Sequence, residues 1–429
     1  MIKRIAEWIV RLEWLVLAIL APLLIFPNAT RSLALLGIPL LWTARKIARG
    51  RFIRRTPLDW AITLLMLMVL VSLYATFDIA ISLPRIAILL FGVAVFYAMV
   101  EAIQSDVMLQ WASAAYLLAG AGLVGLAAIG MQRLQKLPIV GNFVMRLPVL
   151  VRGLSENPEG LHPNIVAGAL LWFIPLSMAI IVWLWRTQDT GRCKRWLSLL
   201  TLAGVIVAVG ILALSQSRAG MTGFAVSVLI LLASTGRRGR IAAAFALVVS
   251  VIVLLLLGAG RLGEIFIGAR VSSAREPGLE TLSGRVEVWS RALYAIQDFP
   301  FTGMGMGTFP RVIPVLYPYF TISPDTPVPH AHDEFFQVAV DLGIPGLVAF
   351  LAIYLASAQS LITVIRQSAD PFRRVAALGV VVGLTSHAVY GLTDAVLLGT
   401  KPSFVWWILL GLGMATFALE READQCQSA

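Results

Sequence analysis

The sequence predicts an all-α polytopic membrane protein: one transmembrane domain over residues 1–429 with about twelve membrane-spanning helices. Three observations carry this. The 429 residues are 59% hydrophobic and 13% charged, with a mean hydropathy of +0.86, whereas soluble domains run at about 45–50% apolar and about 25% charged. Apolar runs near the roughly 20 residues a helix needs to cross the hydrocarbon core recur along the chain. Basic clusters then separate alternate pairs of runs: ARKIARGRFIRR (44–55), WRTQDTGRCKRW (185–196), TGRRGR (235–240) and IRQSADPFRR (365–374). All four fall on one side of the expected topology, and short Lys/Arg-rich connections mark the cytoplasmic side. The net charge of +11 is therefore a topology signal. The expected partner is the lipid bilayer, with no nucleic acid.

The opening MIKRIAEWIVRLEWLVLAILAPLLIFP has the basic start of a signal peptide, but no small-residue cleavage site follows, so it reads as a retained first span. The expected spans are 13–27, 32–44, 58–77, 83–100, 107–130, 161–185, 197–214, 218–234, 241–258, 345–365, 375–396 and 403–419, with both termini cytoplasmic. The second is short and reads equally as half of a bent hairpin with the first. Cys193 and Cys426 then lie on the cytoplasmic side, where no disulfide is expected. Two connections are long: the mildly basic 131–160, and 259–344, a large outward-facing loop between helices 9 and 10. Long loops are usually functional. No internal repeat is visible, and the insertion divides the spans nine to three, which argues against the paired halves of many transporters.

Three polar stretches belong to the outer face. In ALSQSRAGMTG (213–223), Arg218 stands between two apolar runs with hardly any loop. A charge at mid-membrane costs about 2.5–3.5 kcal/mol on insertion scales, so the side chain either snorkels to headgroups or faces a cavity. In LSGRVEVWSRALYAIQDFPFTGMGMGTFP (282–310), Ser283 can cap a helix whose third position beyond it is Val286, so the full capping box is absent. Val288, Leu293 and Ile296 give that helix an apolar face suited to the membrane surface, and Arg285 projects from its first turn. No strand precedes the glycine run, so it reads as tight backbone turns and not as a nucleotide-binding loop.

The third stretch, PVPHAHDEFFQVAVDLGIPGL (327–347), carries His330 and His332. A zinc site needs a third ligand and preferably a fourth. His162 and His387 are the other histidines and no cysteine lies outside, so no metal is expected. Asp333 suits an N-cap, and a helix from Glu334 should run to Leu342 and break at Gly343-Ile344-Pro345-Gly346. On it Glu334, Gln337 and Asp341 make one polar stripe, which leaves His332 at the helix entrance. His162 and Asn164 sit at an outer span end, and His387, Tyr390 and Asp394 share a face of the eleventh span. Their readings stay open between substrate contact and helix packing.

These residues resemble the O-antigen ligase and polymerase superfamily of bacterial envelope glycosyltransferases. Its signature is a His, then Asn, Ser or Gln, nine variable residues, and G-x-x-G. Here His332, Asp333, residues 334–342 and Gly343 to Gly346 reproduce the spacing, with Asp in the second place. SQSRAG, SGR, FPFTGMGMGTF and ENPEGLHPNIVAGAL (156–170) resemble the family in wording and order. The resemblance implies a bacterial inner-membrane enzyme with its active site facing the periplasm. Such an enzyme takes a glycan from a polyprenyl-pyrophosphate carrier and transfers it to an acceptor hydroxyl of a glycolipid or glycan, without nucleotide, metal or other cofactor. It makes His332 the base, and the planar arginine fork suits Arg218 and Arg285 to the pyrophosphate. His330, His162, Asn164 and Asp333 are further candidates for substrate binding. Ligase is the favoured activity. Polymerase, protein O-oligosaccharyltransferase and lipid-linked glycan transporter are the alternatives.

Overall fold

Sixteen α-helices and two short 3-10 turns make up most of the described chain, and its nearest approach to a strand is an isolated bridge between Met131 and Leu161. The computed structural model describes residues 1–429 other than 27, 29, 135, 137, 149, 151–159, 187–191, 268–281, 324–325 and 429. In chain order the helices are α1 (Ile2–Arg11), α2 (Glu13–Ile25), α3 (Gly37–Arg49), α4 (Asp59–Ala75), α5 (Ile79–Ala102), α6 (Asp106–Gly130), α7 (Pro138–Val144) and α8 (Pro163–Arg186). Then follow α9 (Arg192–Leu214), α10 (Arg218–Ser234), α11 (Arg237–Ile267), α12 (Leu282–Asp298), α13 (Phe309–Leu316), α14 (Glu334–Gln367), α15 (Pro371–Gly391) and α16 (Phe404–Ser428).

Among the described residues, seven helices are long and apolar enough to cross a membrane: α5, α6, α8, α9, α14, α15 and α16. An eighth is counted if α1 and α2, bent by 63° about Leu12, are one span. Of the other expected spans, 241–258 lies within the 31-residue α11, and the rest are helical but shorter or interrupted. Residues 32–44 divide between a 3-10 turn (Arg31–Leu36) and α3, which packs back on α1, so this pair folds as the bent hairpin. The helices α4 and α10 have 17 residues each, about 26 Å at a rise of 1.5 Å per residue.

The core is built around α8, which packs against α15, α9 and α10, while α16 packs on α5 and α14 on α4. Trp172, Trp406 and Trp407 are fully buried there. Lipid tails are as apolar as these side chains, so helix association rests on close packing. Gly223 shows it: a Cβ there would stand 2.5 Å from the Ser386 carbonyl oxygen. Many of the basic residues between spans pair at one end of this bundle. Arg49 and Arg51 meet Glu101, Arg54 meets Glu422, and Arg373 meets Asp106 and Glu420. Cys426 is exposed and free, and the side chain of Cys193 lies outside the described residues.

At the opposite end, described residues from α12 to the start of α14 form a small structure of their own. Val288, Ala292 and Ala295 of α12 pack with Phe309, Ile313, Ile322, Val328, Ala331 and Val340 in a second apolar cluster. The apolar face expected to lie on the membrane is thus divided: Val288 and Ile296 turn inward to this cluster and Leu293 is exposed. The helix begins at Leu282, so Ser283 lies within its first turn, and its side chain is outside the described residues. Glu287 fixes the return of the chain by accepting from the Phe320 and Thr321 amides and pairing with Arg291 at 3.2 Å.

The glycine run does turn the backbone tightly, against protein. Gly303, Gly305 and Gly307 all have positive φ and abut the Asp341–Leu342 backbone, Thr76 and Arg85 respectively. The Met304 amide donates to Val340 O and the Ile344 amide to Pro300 O, both at 2.7 Å, which clips this run onto α14. There α14 is broken at Gly343 (φ 72°, ψ 175°), where the sequence predicts it, in a conformation open essentially to glycine alone. A Cβ at Gly343 would also lie 2.7 Å from the Phe301 carbonyl. Gly343→Ala should therefore destabilise the protein by about 1–3 kcal/mol from backbone strain alone, read as a lower melting temperature in nanodiscs. An unchanged melting temperature would show that the break does not depend on glycine.

Candidate active site

His332 stands at the tip of a turn that the backbone does not adopt cheaply: its φ is +51°, one of two positive values among the described non-glycine residues. Four contacts hold it. The His332 amide donates to His330 Nδ1 at 3.1 Å, and the Ala331 amide to Gln337 Oε1 at 2.8 Å. Trp289 Nε1 donates to the His332 carbonyl at 3.4 Å. Asp333 caps α14 by accepting from the Phe336 amide at 2.8 Å. The polar stripe of Glu334, Gln337 and Asp341 is present but buried. Gln337 spends its other end on Asp341 Oδ1 at 2.9 Å, and so carries the turn on the helix.

The His332 imidazole is 10% exposed, and neither ring nitrogen has a hydrogen-bond partner. Unpaired buried polar atoms are costly, and in native structures they call for a functional explanation. Asp394 faces it, with Oδ1 3.8 Å from His332 Nδ1. The sequence predicts Asp394 on one helical face with His387 and Tyr390, and here the structure corrects it. The helix α15 ends at Gly391, so Asp394 belongs to the turn beyond and leaves that face. His387 and Tyr390 stay on the helix as packing residues. His387 contacts Gly168 O at 3.1 Å and Glu334 Oε2 at 3.0 Å over the Trp172 ring, and Tyr390 donates to the Asn164 carbonyl at 2.9 Å.

Arg218 begins α10 behind the N-cap Ser217, and Arg285 lies in the first turn of α12, where it donates to the Thr393 carbonyl. The two arginines, far apart in sequence, line one pocket with Lys136, Asn164, Gln216 and Asp394. Gln216, the other positive-φ residue, donates to Leu134 O at 2.7 Å and accepts from the Lys136 amide at 3.0 Å, which ties the 131–136 segment to the pocket. Lys136 and Gln216 are absent from the sequence-based candidates. Their signal was slight: one Lys in a mildly basic loop, and a Gln beside the arginine. His162 caps the first turn of α8 by accepting from the Asn164 amide at 3.3 Å.

Folding supplies the third potential metal ligand that the sequence lacks, since His330, His332 and Asp394 offer ligand atoms within 4.8 Å of one another. The hydrogen bonding argues against using it. His330 Nδ1 accepts the His332 amide, so the neutral ring carries its proton on Nε2 and has no lone pair left for a cation. Burial and the neighbouring His332 push His330 down from 6.5 to about 3, which keeps it neutral. Burial alone would raise the Asp394 carboxyl, but the adjacent His332 outweighs it and holds Asp394 below the ordinary carboxylate range, as an anion. Burial raises Asp333 to about 6 against its amide contacts.

Residues 203–351 match the model of a protein family described as O-antigen ligase. That stretch contains Arg218, Arg285, His330, His332 and Asp333, whereas Lys136, Asn164 and Asp394 lie outside it. No curated protein matches the chain.

A histidine held neutral when folded and free to protonate when unfolded makes the unfolded state bind more protons below its ordinary pKa. Stability should accordingly fall as pH drops below 6.5 toward about 3. His330→Gln removes that component, so its melting temperature should fall less than the wild type's on acidification from neutral pH. Equal falls in both proteins would show that His330 is not held neutral.

Proposed function

We propose that this chain, whose residues 203–351 match a family model described as O-antigen ligase, is an inverting, metal-independent glycosyltransferase of the ligase type. It moves a glycan from a polyprenyl-pyrophosphate carrier to a hydroxyl of an acceptor such as a lipid A core. The reaction takes place at the outer face of the bacterial inner membrane. On this reading about twelve helical segments cross or enter the bilayer, both termini are cytoplasmic, and 259–344 faces the periplasm. The observation that carries it is the unpaired His332 imidazole beside Asp394, a residue that lines one pocket with the two arginines.

The chemistry follows from the residues. Asp394 lies on the Nδ1 side of His332, so Nδ1 keeps its proton toward the carboxylate and Nε2 is the base. The acceptor oxygen attacks the anomeric carbon, and its proton passes to Nε2 as the new C–O bond forms. On the opposite face the bond to the phosphate oxygen breaks, and its electron pair leaves with the polyprenyl pyrophosphate. Arg218 and Arg285 neutralise that charge with paired N–H donors. Attack opposite the leaving group inverts the anomeric centre. Asp394 orients the imidazole and stabilises the imidazolium.

With purified protein in nanodiscs, a lipid-linked glycan and candidate acceptors, His332→Ala should lower transfer by about 10²–10⁴-fold, the usual worth of a general base. Arg218→Ala and Arg285→Ala should reduce it as severely, while a chelator should leave the wild type unchanged. Full activity in any of these variants would remove that residue from the site, and loss in chelator would restore the metal reading. Product with glycan acceptors alone would replace the ligase by a polymerase.

A further inference from the structure

Asn164 sits at the start of α8 with both ends of its amide committed. Its Oδ1 accepts from Lys136 Nζ at 2.7 Å, and its Nδ2 donates to Asp394 Oδ2 at 2.6 Å. An ammonium can only donate and a carboxylate can only accept, so these neighbours fix which way the amide points. Its backbone is held as well, with the carbonyl accepting from Tyr390 and the amide donating to His162. The residue is 6% exposed. Lys136 lines the same pocket as Arg218 and Arg285, and Asp394 faces His332. One polarised chain therefore runs from a cation in the pocket, through Asn164 and Asp394, to the base.

We propose that this chain couples occupation of the pocket by pyrophosphate to alignment of His332, with Lys136 as a third phosphate-binding cation and Asn164 as a positioning residue. The proposal rests on the donor pocket and base assigned above. Its direction follows from charge. Phosphate oxygens that take the other Lys136 protons share the ammonium's charge and weaken its bond to Asn164 Oδ1. A less polarised amide then donates more weakly to Asp394, whose charge becomes more available to His332. At 3.8 Å the Asp394–His332 contact is longer than a hydrogen bond, as is common before substrate arrives. Donor binding closes it, and the base is set only when a leaving group is in place.

The chain has four histidines, so imidazole signals from ¹⁵N-histidine-labelled protein in nanodiscs can be assigned by comparison with His332→Gln. Inorganic pyrophosphate is the probe. In the wild type, saturating pyrophosphate should shift the His332 Nδ1 signal toward that of a hydrogen-bonded N–H. Asn164→Leu should still bind pyrophosphate, measured by calorimetry, with the His332 signal unmoved. Lys136→Met, on a connecting segment and not on a helix, should bind it about tenfold more weakly, for one lost charge-assisted contact. At saturation it too should leave His332 unmoved. A wild-type shift in either variant at saturation overturns the relay while leaving the donor pocket intact. Failure of pyrophosphate to bind the wild type overturns the donor-pocket reading, and the relay with it.

Discussion

The contact between Glu334 and His387 is the constraint on which the site depends. Gly168 offers His387 Nδ1 a carbonyl, which can only accept, so Nδ1 carries a proton. The opposite nitrogen lies 3.0 Å from Glu334 Oε2, and that contact needs a single shared proton, on the ring or on the carboxyl. Both residues are buried. Removing one partner of such a pair typically costs about 3–5 kcal/mol, because the other is left uncompensated. Since Glu334 is the first residue of α14, the pair sets where that helix starts, and so where the strained turn at His332 stands relative to α8 and α15. The same α15 ends one turn later and delivers Asp394.

Around that anchor the site divides into two parts with different demands. The base side is buried and held by hydrogen bonds: His330, Gln337, Trp289 and Asp333 spend theirs on the backbone of the turn, and the His332 ring nitrogens are unpaired. The pocket side gathers cations from three separate segments, Lys136 before α7, Arg218 at α10 and Arg285 on α12. The Asp394 carboxylate lines the same pocket as these cations. Asn164 and Asp394 are the seam between the two parts.

Much of this was legible along the chain because its causes are local. Gly-Ile-Pro-Gly announces the break in α14, Asp333 announces the cap, and the period of Glu334, Gln337 and Asp341 announces a shared face. Arg218 and Arg285 were legible as charges placed where charge is costly. What could not be read depends on tertiary distance. TDAVLLG continues an apolar pattern that carries Asp394 onto the helix, and only the fold shows the chain leaving helix at Gly391. Lys136 and Gln216 meet across about 80 residues, with no local signature. Hydropathy finds apolar runs but not how far each stays helical: α4 and α10 stop at 17 residues, while α11 continues for 31.

Catalysis by these residues turns on where the donor lies. A cryo-EM structure of the protein in nanodiscs with a non-hydrolysable polyprenyl-pyrophosphate glycan tests that directly. Both phosphates should lie between Arg218 and Arg285, with the anomeric carbon open to a hydroxyl held at His332 Nε2. Pyrophosphate seated away from both arginines, or His332 turned from the anomeric carbon, would contradict it.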